Sequence, residues 1–152
     1  MSVAKSATVI GAADGARFHV LGHDIRATLT ARETAGEYYT FECVTPSGVG
    51  IPPHVHSQED ELVQVTEGEF EVMLGGKTQR AKAGALIHLP RRVPHAFQNV
   101  GAGSGKTLWT VIPGSGFEKF FGELAALPKG PPDLAKVAAI FGKYGMEVLP
   151  PK

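Results

Sequence analysis

Cysteine is nearly missing from this chain: Cys43 stands alone among 152 residues. A single thiol rules out an internal disulfide and a cysteine-built zinc module. With no second cysteine or evident base to activate it, Cys43 reads as a small buried hydrophobe rather than a nucleophile. An excess of either charge is missing too, since 15 Lys+Arg offset 15 Asp+Glu. That balance offers no broad electrostatic footprint for nucleic acid or an anionic membrane. No apolar run approaches the roughly 20 residues of a spanning helix, and the opening Met1–Gly15 lacks the apolar core of a signal peptide. Phosphate-cradling glycine loops, serine-nucleophile signatures and basic-aromatic stripes are likewise absent from the sequence. The expectation is a cytoplasmic protein with neither a nucleic-acid nor a membrane partner.

What is present is an ordinary globular balance, 43% hydrophobic and 20% charged. A chain of this length buries roughly 70% of its extended surface, enough for one real core. One domain over residues 1–152 is therefore expected, with an N-terminal arm and strands over 1–35, a core over 36–113 and a helical tail over 114–152. The 19 glycines and 11 prolines predict many tight turns.

The core reads as β structure. A short strand is expected at Thr8–Ile10. From Asp24 to Arg32 the chain alternates, with Ile25, Ala27, Leu29 and Ala31 on one face, as in a half-buried strand. Tyr38–Val44 repeats the pattern. Leu62–Thr66 and Phe70–Leu74 read as a hairpin joined through Glu67-Gly68-Glu69, and Gly75-Gly76 turns into Lys77–Ala81. Ala85–Leu89, Ala96–Val100 and Thr107–Ile112 complete a set of short strands at roughly ten-residue spacing, the pattern of a sandwich or small barrel.

After residue 113 the period changes. Ser115-Gly-Phe-Glu118 has the spacing of a capping box, and Phe117, Phe120, Phe121 and Leu124 then fall at helical spacing. A proline-rich break leads to Asp133 as a second N-cap. Leu134, Val137, Ile140, Phe141 and Tyr144 form the next apolar stripe, closed by Gly142 and Gly145. Both stripes are expected to pack on the β core or on a neighbouring subunit.

The chemistry-bearing residues lie in two clusters. His54 and His56, two apart in an extended segment, present both imidazoles to one face. Glu61 opens the next strand and shares parity with Val63 and Val65. Further on, His95, Phe97 and Asn99 again share a face. Three imidazoles and one carboxylate converging inside a β core make a mixed N/O site for a divalent first-row metal. Glu59 and Asp60 are the neighbouring carboxylates; parity prefers Glu61, with Asp60 the candidate for a supporting contact behind the ligands. His88 is expected in core or surface, and His19 and His23 are not expected to be ligands. Phe41, Phe97 and Trp109 read as core aromatics that can also line a pocket.

Gly48-x5-His54-x-His56-x4-Glu61-x6-Gly68 and Gly84-x5-Pro90-x-Arg92-x2-His95-x3-Asn99 resemble the two signature motifs of the cupin superfamily. The fifteen residues between Gly68 and Gly84 suit the family's short connection. The departure is Arg92, where the family usually has glycine. Either Arg91 and Arg92 are simply exposed, the simpler reading, or the Arg92 guanidinium holds an anionic substrate at the site mouth. The resemblance implies an all-β double-stranded β-helix, or jelly-roll barrel, with one or two C-terminal α-helices. It also implies His54, His56, Glu61 and His95 as ligands of one divalent metal per chain (Mn, Fe, Co or Ni, with Zn compatible), and a homodimer.

Within that superfamily the chain most resembles the small quercetin 2,3-dioxygenase-like cupins, on its Pro52-Pro53-His54-x-His56 run, its Glu59-Asp60-Glu61 run and its Tyr144–Pro151 tail. That likeness implies a metal-dependent dioxygenase. A flavonol or another enolisable, oxygen-rich small molecule would chelate the metal, Glu61 would act as the catalytic base, and dioxygen would be co-substrate. Two other readings use the same residues: a non-oxidative metal-dependent isomerase or lyase, and a non-catalytic small-molecule-binding module.

Overall fold

Period-two alternation builds most of the structure, a computed structural model that describes residues 5–114 and 116–150. Its strands are β1 (Arg17–Val20), β2 (His23–Ala27), β3 (Tyr39–Thr45), β4 (Gly50–His56), β5 (Asp60–Glu67), β6 (Glu69–Leu74), β7 (Lys77–Lys82), β8 (Leu86–Leu89), β9 (His95–Asn99), β10 (Gly105–Ile112) and β11 (Met146–Val148). One helical turn, α1 (Ala31–Thr34), precedes β3, and two helices, α2 (Phe117–Ala125) and α3 (Leu134–Lys143), follow β10. The strands form two antiparallel sheets, ordered β1-β2-β3-β10-β5-β8 and β11-β4-β9-β6-β7. This is the expected jelly roll, arranged as two facing sheets rather than a continuously closed barrel.

The inward faces supply the core. Tyr39, Phe41 and Cys43 of β3, Val63 and Val65 of β5, Phe70 and Val72 of β6, and Trp109 and Val111 of β10 are all buried. Each large apolar side chain removed from water contributes about 1.5–3 kcal/mol. Phe41 stacks on Trp109 with ring centroids 5.6 Å apart and meets Phe121 of α2 edge-on at 4.8 Å.

Several local expectations fail for identifiable reasons. Thr8–Ile10 forms no strand. The strand expected to run to Arg32 stops at Ala27, because Thr30 and Glu33 form a reciprocal helix cap: Thr30 N–H donates to Glu33 Oε2 at 2.8 Å. Alternation alone cannot see that competing local hydrogen bond. Glu67-Gly68-Glu69 is not a hairpin turn, since β5 and β6 belong to different sheets. Gly68 has φ +86°, and a Cβ there would lie 3.0 Å from Gly105 Cα, so the chain passes between the sheets where only glycine fits. The Gly75-Gly76 turn does join a true hairpin, β6 to β7.

The tail follows its apolar stripes. Phe117, Phe120, Phe121 and Leu124 of α2 are buried, as are Val137 and Phe141 of α3. Asp133 caps α3, accepting from Ala135 N at 3.0 Å. Leu134 leaves the expected stripe and is 74% exposed, since at the first helical position it points away from the sheets. The capping box assigned to Ser115 lies outside the described residues. Strands β1 and β11 lie outside the strands expected from periodicity; β11 pairs with β4, placing Met146 opposite His56 and Val148 opposite His54. No helix among the described residues is long and apolar enough to cross a membrane.

Candidate metal centre

Three strands from both sheets converge on one point. His54 and His56 point inward from β4 because they are two residues apart, and β9 sets His95 directly opposite His54 in the ladder. Glu61 reaches the same point from β5 in the facing sheet. One donor atom from each of His54, His56, Glu61 and His95 lies within 4.8 Å of the others, and all four residues are buried. The imidazole centroids stand 5.1 Å (His54–His56), 4.4 Å (His54–His95) and 5.4 Å (His56–His95) apart.

The polar atoms at this point lack partners of their own. Glu61 Oε1 lies 3.0 Å from His56 Nε2 and 3.4 Å from His95 Nε2, yet Glu61 Oε1 and His95 Nε2 make no hydrogen bond of acceptable geometry. A buried polar atom without a partner costs about 1–3 kcal/mol. Ring Nδ1 atoms, by contrast, are engaged from behind: His54 Nδ1 donates to Pro52 O at 2.9 Å and His95 Nδ1 to Val93 O at 3.3 Å. With hydrogen on Nδ1, each ring turns an Nε2 lone pair toward the centre. Three imidazole nitrogens and a carboxylate converging on unpartnered atoms fit a divalent cation.

Electrostatics agree with the geometry. Burial opposes ionisation of Glu61, but the charge on His56 and the adjacent His95 outweigh it and hold the carboxyl far below the ordinary range. Burial would likewise depress His56, but Glu61 and then Glu59 raise it to about 9. His54 is lowered to about 3, chiefly by burial and then by the neighbouring imidazoles. Without a cation, the cluster is thus a buried His56–Glu61 ion pair.

The acidic run divides its labour differently from the sequence expectation. Asp60 faces outward, accepting from Arg91 N at 2.8 Å and pairing with the Arg91 guanidinium at 3.1 Å. The contact behind the ligands belongs instead to buried Glu59, whose Oε2 lies 3.3 Å from His56 Nδ1. Asn99 is a pin rather than a ligand: it donates to Thr45 O at 2.8 Å and Gly103 O at 3.0 Å and accepts from Gly101 N at 2.8 Å. Arg92 is exposed and holds φ +69°, keeping the left-handed backbone that glycine would supply.

A cavity of about 70 Å³ opens on His54, His56 and Glu61. Phe41, Phe97 and Trp109 line it from the sheets, with further walls from α2 and α3. Phe141 meets His54 edge-on at 5.6 Å, and Phe117 lies parallel to His56 at 6.3 Å. The apolar stripes of the tail therefore form the roof of the site as well as part of the core. His23 also reaches this cavity but, like His19, is not part of the four-residue cluster. It is 1% exposed, bonded through Nδ1 to Thr45 Oγ1 at 2.9 Å, and lowered to about 4, mainly by burial. The signal was available: extending the Ile25–Ala27 parity back by one step puts His23 on the buried face. His19 and His88 are exposed. Burial raises the Cys43 thiol to about 11, consistent with an inert side chain.

Two facing antiparallel sheets that carry a buried three-histidine, one-glutamate cluster between them define a β-fold protein with a candidate metal centre. Residues 40–111 match the cupin domain family, and the chain shares its fold with an RmlC-like cupin of Shewanella frigidimarina at TM-score 0.65 and 18% identity, over 78% of this chain and 99% of that one. It is 38% identical over 82 residues to Protein SchB of Streptomyces halstedii, across 53% of this chain and 59% of that protein. It is 32% identical over 94 residues to Polyketide synthase CurC of Streptomyces cyaneus, across 60% of each chain. These matches span about three fifths of the length of both relatives. Among solved structures, the polyketide cyclase RemF of Streptomyces resistomycificus superposes with TM-score 0.61 at 21% identity, over 70% of this chain and 80% of that one; at that identity the likeness is one of fold.

Proposed function

We propose that this protein is a metal-dependent enzyme acting on an enolisable, aromatic, polyketide-like small molecule. His54, His56, Glu61 and His95 serve as the ligands of one divalent transition metal per chain. The observation that carries this reading is the unpartnered Glu61 Oε1–His95 Nε2 pair, whose Glu61 lines an aromatic-walled cavity. A metal held by these residues would supply Lewis acidity to a carbonyl oxygen of the substrate. Glu61 would be the carboxylate that accepts the proton from the carbon or hydroxyl next to that carbonyl. The aromatic walls offer apolar faces on which flat rings can stack.

The reaction class favoured is non-oxidative, an intramolecular cyclisation or isomerisation through the enolate. Its support is the sequence similarity to a protein named a polyketide synthase and the fold shared with a polyketide cyclase. Dioxygenation of a flavonol-like substrate is the second reading, favoured by the aromatic-lined cavity that opens beside the proposed ligands. Turnover of aromatic polyketide and flavonol panels under argon and under air, with metal-stripped and reloaded protein, separates the two. Equal anaerobic turnover supports the non-oxidative reading, and oxygen uptake in step with substrate loss supports the dioxygenase. Stoichiometric ligand binding without product reduces the protein to a binding module.

The same reading includes a homodimer joined through the outer face of the six-stranded sheet. There Leu86 and Leu108, both opposite Gln64, are 69% and 39% exposed. Light scattering of the wild type and of Leu108→Glu tests it: a dimer that the substitution splits supports this face, and a wild-type monomer overturns it.

A further inference from the structure

The three imidazoles are not held alike. His54 and His95 each donate from Nδ1 to the backbone carbonyl two residues upstream, Pro52 O and Val93 O, both neutral acceptors. His56 alone has a carboxylate behind it: Glu59 Oε2 lies 3.3 Å from Nδ1, and the two side chains are only 3% and 7% exposed. Glu61 Oε1 approaches the opposite nitrogen of the same ring at 3.0 Å. His56 is therefore clasped between two buried carboxylates, one on each nitrogen, and only Glu61 belongs to the cluster that can hold a metal.

The chain creates this arrangement within three consecutive acids. Asp60 is drawn outward by Arg91, while its neighbours turn in on either side of His56. Ser57 starts the intervening turn, tied to Gly145 through Oγ–O at 2.7 Å and N–O at 3.0 Å. Burying a carboxylate without a full complement of hydrogen bonds costs several kcal/mol. A surface glutamate in this turn would avoid that cost, so its burial needs a compensating role.

We propose that Glu59 is a positioning residue that orients His56 and, through its negative charge, strengthens His56 Nε2 as a donor to the metal. This rests on the metal centre proposed above. A carboxylate accepting the far N–H of a ligating imidazole fixes the ring and raises its basicity, and loss of such a partner typically weakens metal binding about 10–100-fold. His54 and His95, backed by neutral carbonyls, are the weaker donors, so the coordination is lopsided by construction.

The test compares wild type, Glu59→Gln and Glu59→Ala, each stripped of metal and titrated with cobalt(II) against a competing chelator. The visible absorption of the bound cobalt reads the ligand field directly. Glutamine keeps an oxygen for the His56 N–H but removes the charge. Glu59→Gln is expected to bind about 10-fold more weakly with a shifted cobalt band, and Glu59→Ala about 100-fold more weakly. Thermal melts with and without cobalt separate positioning from mere structure: the metal-induced gain in Tm shrinks in the variants, whereas a purely structural role lowers both melts equally. Glutamine and alanine variants that bind within threefold of wild type with an unchanged band overturn the proposal. A wild type that binds no cobalt overturns the metal centre itself, a distinguishable failure. Should the variants not fold, proton NMR of the cobalt-loaded wild type decides. One imidazole N–H resonance set apart from the other two supports the proposal, and three alike overturn it.

Discussion

His54 and His95 face each other as direct cross-strand partners at the one place where the β4–β9 ladder slips its register. Between Ile51 and His54 the ladder skips Pro52 and Pro53, neither of which can donate a backbone hydrogen bond. At this irregularity the two rings stand 4.4 Å apart, inclined at 67°, and Pro52 O accepts from His54 Nδ1. A pair of prolines that interrupts the ladder thus lies beside two proposed ligands.

Glu61→Gln separates the two duties assigned to this side chain. Proton abstraction is expected to fall at least about 100-fold, while metal content after reconstitution stays substantial because three imidazoles remain. Elemental analysis and steady-state kinetics on the same preparation read both. Turnover at the full rate sinks the assignment of Glu61 as base.

The metal-free protein is expected to be most stable near pH 6.5. His54 at about 3 and His23 at about 4 lie below the ordinary 6.5, so in acid the unfolded chain takes up protons that the folded chain refuses, and stability falls. Glu61, depressed by its pairing with His56, adds a loss that begins as the pH drops below the ordinary 4.5. His56, raised to about 9, contributes fully below 6.5, and that contribution disappears as the pH climbs through 9. Urea melts in chelator from pH 4 to 10 trace the curve. Metal binding must expel the His56 proton, so the alkaline decline is expected to vanish in the loaded protein. A flat profile would contradict the charged His56–Glu61 pair.

Arg92→Gly decides between the two readings of that position. Left-handed backbone costs a non-glycine residue about 1–2 kcal/mol, so glycine at φ +69° is expected to raise the melting temperature with metal content unchanged. An unaltered KM then leaves Arg92 simply exposed. A rise in KM confined to anionic substrates assigns it to binding.

The roof over the cavity is expected to control entry. Phe120 packs edge-on against Phe117 and Phe141 at 5.3 and 5.1 Å, and Tyr144 and Lys143 both bind Glu123 across the helix pair. Tyr144→Phe removes one hydrogen bond, about 1 kcal/mol, and is expected to speed amide exchange in α2 and the stripping of metal by chelators. Phe120→Ala is expected to do the same more strongly, at about 3–5 kcal/mol of stability. Stripping rates equal to wild type in both variants would show that metal and ligands enter by another route.

Much of this was legible in the sequence because periodicity and spacing are local. Parity placed His54, His56, Glu61 and His95 on inward faces, and the tail helices followed from their aromatic stripes and from Asp133. Long-range pairing was less legible. Glu67-Gly68-Glu69 has hairpin chemistry, yet the flanking strands part into different sheets, a choice set by partners forty residues away. Glu59 and Asp60 are not told apart by sequence because three adjacent acids look alike, and only Arg91 packed beside Asp60 shows which one turns outward. Strand β2 begins at His23, one residue before the alternation read from Asp24, so the burial of His23 falls outside that reading. Strand β11 is too short for a periodic signal, with three residues recruited by the edge of β4.

That recruitment protects the molecule against self-association. Without β11, the strand that carries His54 and His56 would end its sheet with a bare row of amide and carbonyl groups, ready to template another chain. The opposite edge, β7, defends itself with Lys77, Arg80 and Lys82. A strand that must place histidines inward and run through two prolines has few positions left for such gatekeepers, so the guard is supplied from the tail. Loss of Met146–Val148 would therefore be felt first as aggregation seeded at the histidine-bearing strand, before any loss of chemistry.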